Sequence, residues 1–180
     1  AYLTAATVAI YVFVYTPMKR LSSTNTLVGA VPGAIPPVIG WVGAGGTLDW
    51  EAGFLFGLLF FWQLPHFIAI NWLCREEYES VGYKMWSNGD ISGRKSGWLA
   101  AMFSLALAAV SLIPAFRGSA NLLWTITGPL LAFIMMALSL KFSRDGERSS
   151  ARRLFLFTLL YLPLALIILT IAWESPGVAP

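Results

Sequence analysis

Six long apolar runs alternate with short polar segments along the chain. They cover residues 1–16, 25–44, 50–72, 97–114, 122–140 and 154–173. Roughly 20 mostly apolar residues carry a helix across a bilayer. The pattern therefore predicts an all-α membrane protein of six transmembrane helices. Most connections are a few residues long, so consecutive helices are expected to run antiparallel. The longest polar connection spans 73–96. Within it, residues 75–81 read as a short interfacial helix that Gly82 stops, and Asn88-Gly89-Asp90 reads as a turn. The first run is short and the chain opens on Ala rather than Met, so further sequence is expected upstream.

Composition sharpens the membrane reading. The chain is 57% hydrophobic and 12% charged, against about 25% charged in an ordinary soluble domain. Its charges are sorted. Lys19, Arg20, Arg75, Lys84, Arg94, Lys95, Lys141, Arg144, Arg148, Arg152 and Arg153 all fall at one end of the predicted bundle, and only Arg117 falls at the other. Such a bias marks the cytoplasmic or matrix side, and with six spans both chain ends lie opposite. Arg152 and Arg153 read as interfacial anchors. The net charge of +3 is mostly this bias, and no soluble basic face exists for nucleic acid. The single cysteine, Cys74, excludes an internal disulfide framework and reads as a packing residue near the interface.

The second run is unusual for a helix. It carries Gly29, Pro32, Gly33, Pro36, Pro37, Gly40 and Gly43. Proline removes a helical hydrogen bond, and such backbone is tolerated in a membrane where protein or a water-filled cavity covers it. Gly29 and Gly33 form a GxxxG pair that lets helices approach closely. The run therefore reads as a kinked, closely packed helix, a cavity wall, or both.

Candidate chemistry starts with polar residues inside a span. Gln63, Pro65 and His66, the only histidine, sit in the third run. Polar groups there are expensive and mark function by default. Arg75, Glu76, Glu77 and Tyr78 follow where the run meets water. Eleven residues are close to three helical turns, so a continuous helix would bring Gln63, His66 and Glu77 into one stripe from mid-span to the interface. The competing expectation is a histidine bonded to the Phe61 carbonyl that Pro65 frees. Three loops at the basic end mix cations with carboxylates, around Lys19–Asn25, around Arg75–Lys84 and around 141–153. That mixture suits an anionic phosphate substrate held through a hard cation, although positively charged loops with a few acids are also ordinary in membrane proteins.

Four stretches carry a resemblance. They are Tyr15-Thr16-Pro17-Met18-Lys19-Arg20; Asn25 through Gly29-Ala30 to Gly33-Ala34-Ile35-Pro36-Pro37-Val38-Ile39-Gly40-Trp41; Phe61-Trp62-Gln63-Leu64-Pro65-His66-Phe67 with Arg75-Glu76-Glu77-Tyr78; and Ala151-Arg152-Arg153-Leu154-Phe155 with Tyr161-Leu162-Pro163. In this order and spacing they resemble the UbiA superfamily of intramembrane prenyltransferases, and within it the branch that farnesylates protohaem IX. The resemblance implies a nine-helix bundle with a central cavity, of which the six runs correspond to helices four to nine in a single domain over 1–180. It implies two acidic loop motifs that bind Mg2+ and the prenyl diphosphate. The first would lie upstream, and the second maps onto Arg75-Glu76-Glu77-Tyr78, with Glu77 where the family often has Asp. Tyr83-Lys84-Met85-Trp86-Ser87 is nearer the mitochondrial-type branch than the common bacterial pattern.

The resemblance also implies roles. Glu76 and Glu77 would bind magnesium, and Lys19, Arg20 and Lys84 the diphosphate, with Glu77, Lys19 and Arg20 as the catalytic set. Tyr78 would bond a diphosphate oxygen, and Asn25 would join the substrate site. His66 would lie in the haem or prenyl cavity with Gln63 beside it, and histidine is a known haem ligand type. Farnesyl diphosphate and protohaem IX are the implied substrates, haem being substrate rather than cofactor. Membrane lipid is the surrounding partner, and a haem A synthase would consume the product. The location implied is a bacterial cytoplasmic membrane, with the mitochondrial inner membrane as the alternative. Two other readings are a relative that prenylates a quinone precursor and a transporter with proline-broken spans.

Overall fold

The apolar runs fold as helices that outlast them. The computed structural model describes residues 1–174; the last six residues of the expected domain lie outside them. Helix α1 covers Tyr2–Met18, α2 Asn25–Gly43, α3 Trp50–Leu73, α4 Arg75–Ser80, α5 Arg94–Ser111, α6 the single turn Ile113–Phe116, α7 Leu122–Asp145 and α8 Arg148–Ala172. Five stretches are long and apolar enough to cross a membrane, namely α2, α3, α5 continued through α6, α7 and α8. The first expected span is a shorter apolar helix of this kind, interrupted by a π-helical stretch over Ile10–Tyr15.

The spans of α7 and α8 run five and six residues further into the basic end than the apolar runs suggest. Apolarity stops at the hydrocarbon edge, but the backbone ladder does not. Gly146, at φ 61°, makes the sharp turn between them, and its N–H bonds back to the Phe142 carbonyl at 2.9 Å. Elsewhere side chains start the helices. Asp49 accepts from the Glu51 N–H ahead of α3 and Asn121 from the Leu123 N–H ahead of α7, satisfying donors that a helix N-terminus leaves free. The short interfacial helix appears as expected at α4, and Gly82 follows it at φ 76°.

Helix α3 is the hub. It packs on α2, α5 and α8, while α5 packs along α7 and α1 closes against α2. Leu58, Leu64 and Ile68 of α3 are buried, as are Leu107, Met135 and Leu154 of its surroundings. Large apolar side chains point outward, including Met102, Leu130, Leu160 and Ile171, as a lipid-facing surface requires. Helices α5 and α7 pack along each other, and both bury small residues, Ala100, Ser104 and Ala108 on α5 and Ala132 and Ser139 on α7. Lipid tails are as apolar as leucine, so close backbone approach rather than water exclusion drives such pairing.

Two glycine positions show how close. The Gly29/Gly33 pair does not serve one partner. A Cβ on Gly29 would strike the Tyr15 ring of α1, and one on Gly33 would strike the amide oxygen of Gln63 from α3. Helix α2 is thus clasped on both sides, which fulfils the close-packing expectation. At Gly97 a Cβ would lie 2.5–2.6 Å from backbone and Cβ atoms of Ser143, and backbone cannot rotate away. Gly97→Ala is expected to cost ~1–3 kcal/mol through overpacking. Gly53→Ala, where a Cβ meets nothing within 4 Å, should stabilise α3 by ~0.5–1 kcal/mol. Equilibrium unfolding of the two variants in detergent micelles checks both signs.

Candidate active site at the basic end

Two of the three loops at the basic end are sewn together by backbone. The Lys84 N–H donates to the Lys19 carbonyl at 2.8 Å. Asn25, only 1% exposed, donates its side-chain N–H groups to the Ser22 carbonyl at 2.7 Å and the Lys84 carbonyl at 2.6 Å. Asn25, which the resemblance places in the substrate site, also has a structural task. Its amide nitrogen is spent holding the loop after α1 against the loop after α4.

That brace gathers an aromatic and cationic cluster. The Lys19 ammonium sits 4.7 Å from the centroid of the Tyr15 ring and 5.8 Å from that of Tyr83. Tyr83 in turn lies 6.2 Å from Tyr78. Aromatic faces attract a cation without neutralising it. Among the described residues the only ion pair is Arg75 with Glu76, at 3.4 Å. Lys19, Arg20 and Lys84 thus have no carboxylate partner among the described residues, and Arg20 and Lys84 are exposed. Tyr78 is half-buried on α4. Burial first, then the neighbouring Cys74, Glu77 and Tyr83, push its phenol above the ordinary tyrosine value. It remains a neutral O–H donor at physiological pH.

Glu76 and Glu77 stand exposed in the first turn of α4. No group of three or more metal-ligating side chains occurs among the described residues. Two carboxylates are nonetheless oxygen donors of the kind magnesium takes, since it is commonly held by one or two carboxylates together with substrate phosphates. The residues present fit that partial role.

The polar residues within α3 are not brought into one stripe. Helix α3 ends at Leu73, and Cys74 breaks the register at φ −109°, ψ 25°. Glu77 is therefore not stacked beneath His66 as a continuous helix requires. Gln63 and His66 also face different neighbours. Gln63, 4% exposed, donates to the Ala30 carbonyl of α2 at 2.8 Å. Nδ1 of His66 lies 2.9 Å from the Thr158 hydroxyl of α8, and the Thr158 carbonyl accepts from Trp62 Nε1 at 2.8 Å. The imidazole stacks between Trp62 and Phe155, at 5.7 and 5.0 Å. Its partner is thus a hydroxyl on another helix and not the Phe61 carbonyl. Three residues apart is about 60° around a helix, enough to separate two neighbours.

The sequence reading passed over Tyr15, Tyr83, Thr158 and Asp90 as participants. Thr158 carried a signal, a polar residue inside an apolar run. Asp90 did too, as a carboxylate just ahead of a helix: its Oδ2 accepts from the Ser96 N–H at 2.7 Å, and its carbonyl accepts from Trp72 Nε1 at 2.7 Å. Cavities of similar size lie at both ends of the bundle, and one of about 340 Å³ at the basic end is lined by Arg94, Trp98, Ser143 and Arg144. One of about 340 Å³ at the opposite end is lined by Trp41, Glu51, Leu55, Leu169, Thr170 and Trp173.

The profile described as the UbiA prenyltransferase family matches residues 1–173. The chain belongs to the UbiA prenyltransferase family. Among curated UbiA-family relatives, it is similar to the mitochondrial protoheme IX farnesyltransferase of Arabidopsis thaliana, 38% identical over 161 residues, covering 89% of this chain and 37% of the relative. It is 41% identical to the human mitochondrial protein of that name, over 93% of this chain and 38% of the relative. With the protoheme IX farnesyltransferase of Anaeromyxobacter dehalogenans the identity is 42%, over 88% of this chain and 54% of the relative. The chain thus spans from about a third to about three fifths of the length of the curated UbiA-family relatives it matches. No solved structure matches it.

Two predictions test this geometry. Asn25→Ala is expected to lose ~1–3 kcal/mol, since two hydrogen bonds of a buried side chain are lost and with them the side-chain brace to the Lys84 carbonyl. Asn25→Asp is expected to be worse, because a buried carboxylate would face two carbonyl oxygens that repel it. Thermal melts and protease nicking of residues 81–93 report both. For Tyr78, a raised phenol value keeps the neutral form to higher pH. The ultraviolet phenolate signal lost in Tyr78→Phe should therefore appear at higher pH than that of an unperturbed tyrosine.

Proposed function

We propose that the protein containing this chain transfers the farnesyl group of farnesyl diphosphate to a vinyl group of protohaem IX, giving haem O. The observation that carries the reading is the shared activity in the names of relatives 38–42% identical over about nine tenths of the chain. The geometry supports it with uncancelled cations beside two carboxylates at one end of an apolar bundle. In this reading the chain supplies helices four to nine of a nine-helix domain, and its basic end faces the cytoplasm or matrix. A second acidic motif from elsewhere in the protein completes the metal site.

The chemistry asks for stabilisation of a departing diphosphate. Lys19, fixed between Tyr15 and Tyr83, and the exposed Arg20 and Lys84 attract it. Tyr78 donates its O–H to a diphosphate oxygen. Glu76 and Glu77 would hold Mg2+, which when bound adds positive charge to that leaving group. As the allylic C–O bond breaks, the electron pair goes to diphosphate. The vinyl group of protohaem forms the new C–C bond, water adds to the resulting cation, and a proton leaves. Electrostatic stabilisation of the leaving group is the chief protein contribution. The apolar span around His66 would take the haem or the prenyl chain.

The test is made on the complete protein in membranes, with farnesyl diphosphate, protohaem and Mg2+, and mass spectrometry of the haem extract. Haem O is expected. Glu77→Ala and Lys19→Ala should each lower its yield by roughly 10²-fold. An unaltered yield and magnesium requirement in Glu77→Ala would remove the metal assignment. Full yield in His66→Ala would remove the cavity role. A prenylated quinone precursor in place of haem O would overturn the substrate assignment.

A further inference from the structure

The hydrogen bonds around His66 determine which of its nitrogens carries the proton. The Thr158 hydroxyl lies 2.6 Å from the Phe155 carbonyl, three residues back on α8. A carbonyl only accepts, so the hydroxyl donates there, and a threonine has one proton to give. Its oxygen can therefore only accept from the imidazole 2.9 Å away, and Nδ1 of His66 must carry a hydrogen. In a neutral imidazole the other nitrogen is then bare. Nε2 has no hydrogen-bond partner among the described residues, and it is absent from their buried unpaired atoms. It is accessible.

We propose that Thr158 is a positioning residue: it holds His66 in the Nδ1–H form and leaves Nε2 as the accessible, lone-pair-bearing atom of the ring. The stacking of the imidazole between Trp62 and Phe155 fixes the ring plane but not which of its two flips is adopted. The hydroxyl chooses the flip. Thr158 also fixes one wall of the stack, since its carbonyl takes the Trp62 indole N–H. That second bond is made by backbone and survives any substitution, so the hydroxyl can be tested separately. A bare imidazole nitrogen takes a proton or a metal centre and repels a carbonyl or an anion. Within the proposed function, on which this consequence rests, it suits His66 to the haem substrate rather than to the diphosphate.

The test uses the complete protein in detergent with 15N-labelled histidine, the His66 signals being assigned by their loss in His66→Gln. The expected wild-type spectrum has a pyrrole-type Nδ1 and a pyridine-type Nε2. Thr158→Ser should keep that pattern. Thr158→Val preserves shape and the backbone carbonyl but removes the acceptor, and should move the proton to Nε2. A wild-type spectrum with Nε2 protonated, alone or as imidazolium, overturns the inference, and so does a Thr158→Val spectrum identical to wild type. If Thr158→Val does not fold, the wild-type spectrum decides. The product assay is read separately. Haem O yield falling several-fold in Thr158→Val with recovery in Thr158→Ser supports the link to catalysis. A tautomer that switches while the yield stays constant overturns that link, and would count against the His66 role without touching the tautomer assignment.

Discussion

Directed hydrogen bonds from one turn of α3 tie three helices together. Trp62 and His66 reach α8, and Gln63 reaches α2. In hydrocarbon there is no water to drive helices together, so association falls to close packing and to polar side chains that find partners. Each of these contacts meets a group that would otherwise be costly to leave unpaired. Gly33 has no side chain because Gln63 occupies its place. The proline-rich α2 is thereby held against α3 from one side and against α1 from the other.

The basic end depends on that arrangement. Helix α2 begins at Asn25, so the position of α2 against α3 also sets where the Asn25 amide meets the 81–93 loop. The loop is held from two directions, by Asn25 and Lys19 on one side and by Trp72 bonding the Asp90 carbonyl on the other. Lys19, Lys84, Tyr78 and Tyr83 are brought to one end by this double attachment. At the other end Trp41, Trp50 and Trp173 cluster, with the Arg117 guanidinium over Trp50 at 5.4 Å. Such aromatic rings favour the membrane–water interface.

Much of the fold was legible because hydrophobic length is a direct physical requirement for crossing a bilayer. The spans, the α4 helix and its stop at Gly82 follow from that and from turn chemistry. The extra turns of α7 and α8 were not legible, since a helix persists beyond the apolar residues that mark its membrane part. The break at Cys74 was legible in the end of the apolar run at 72 and the separate helix expected from 75, but not its effect on the register between His66 and Glu77. The candidate site divides in the same way. Charge placed Lys19, Lys84, Glu76 and Glu77 at one end, because charge sorts by membrane side. It said nothing of Asn25 pointing inward, or of Gln63 and His66 parting to opposite neighbours, since those outcomes depend on which helix lies beside each residue.

The backbone stitch between Lys19 and Lys84 has a consequence for speed as well as for place. The two residues are far apart in the chain, and a free loop would lose conformational entropy each time it closed on an anion. Here that loss is incurred on folding. In the proposed reaction an arriving anion would meet two cations whose main chain is already set, with only the flexible ends of their side chains left to order. Charge that need not reorganise when a leaving group departs is worth more than the same charge on mobile loops. The buried amide of Asn25 thus acts at a distance on the electrostatics of a surface it never reaches.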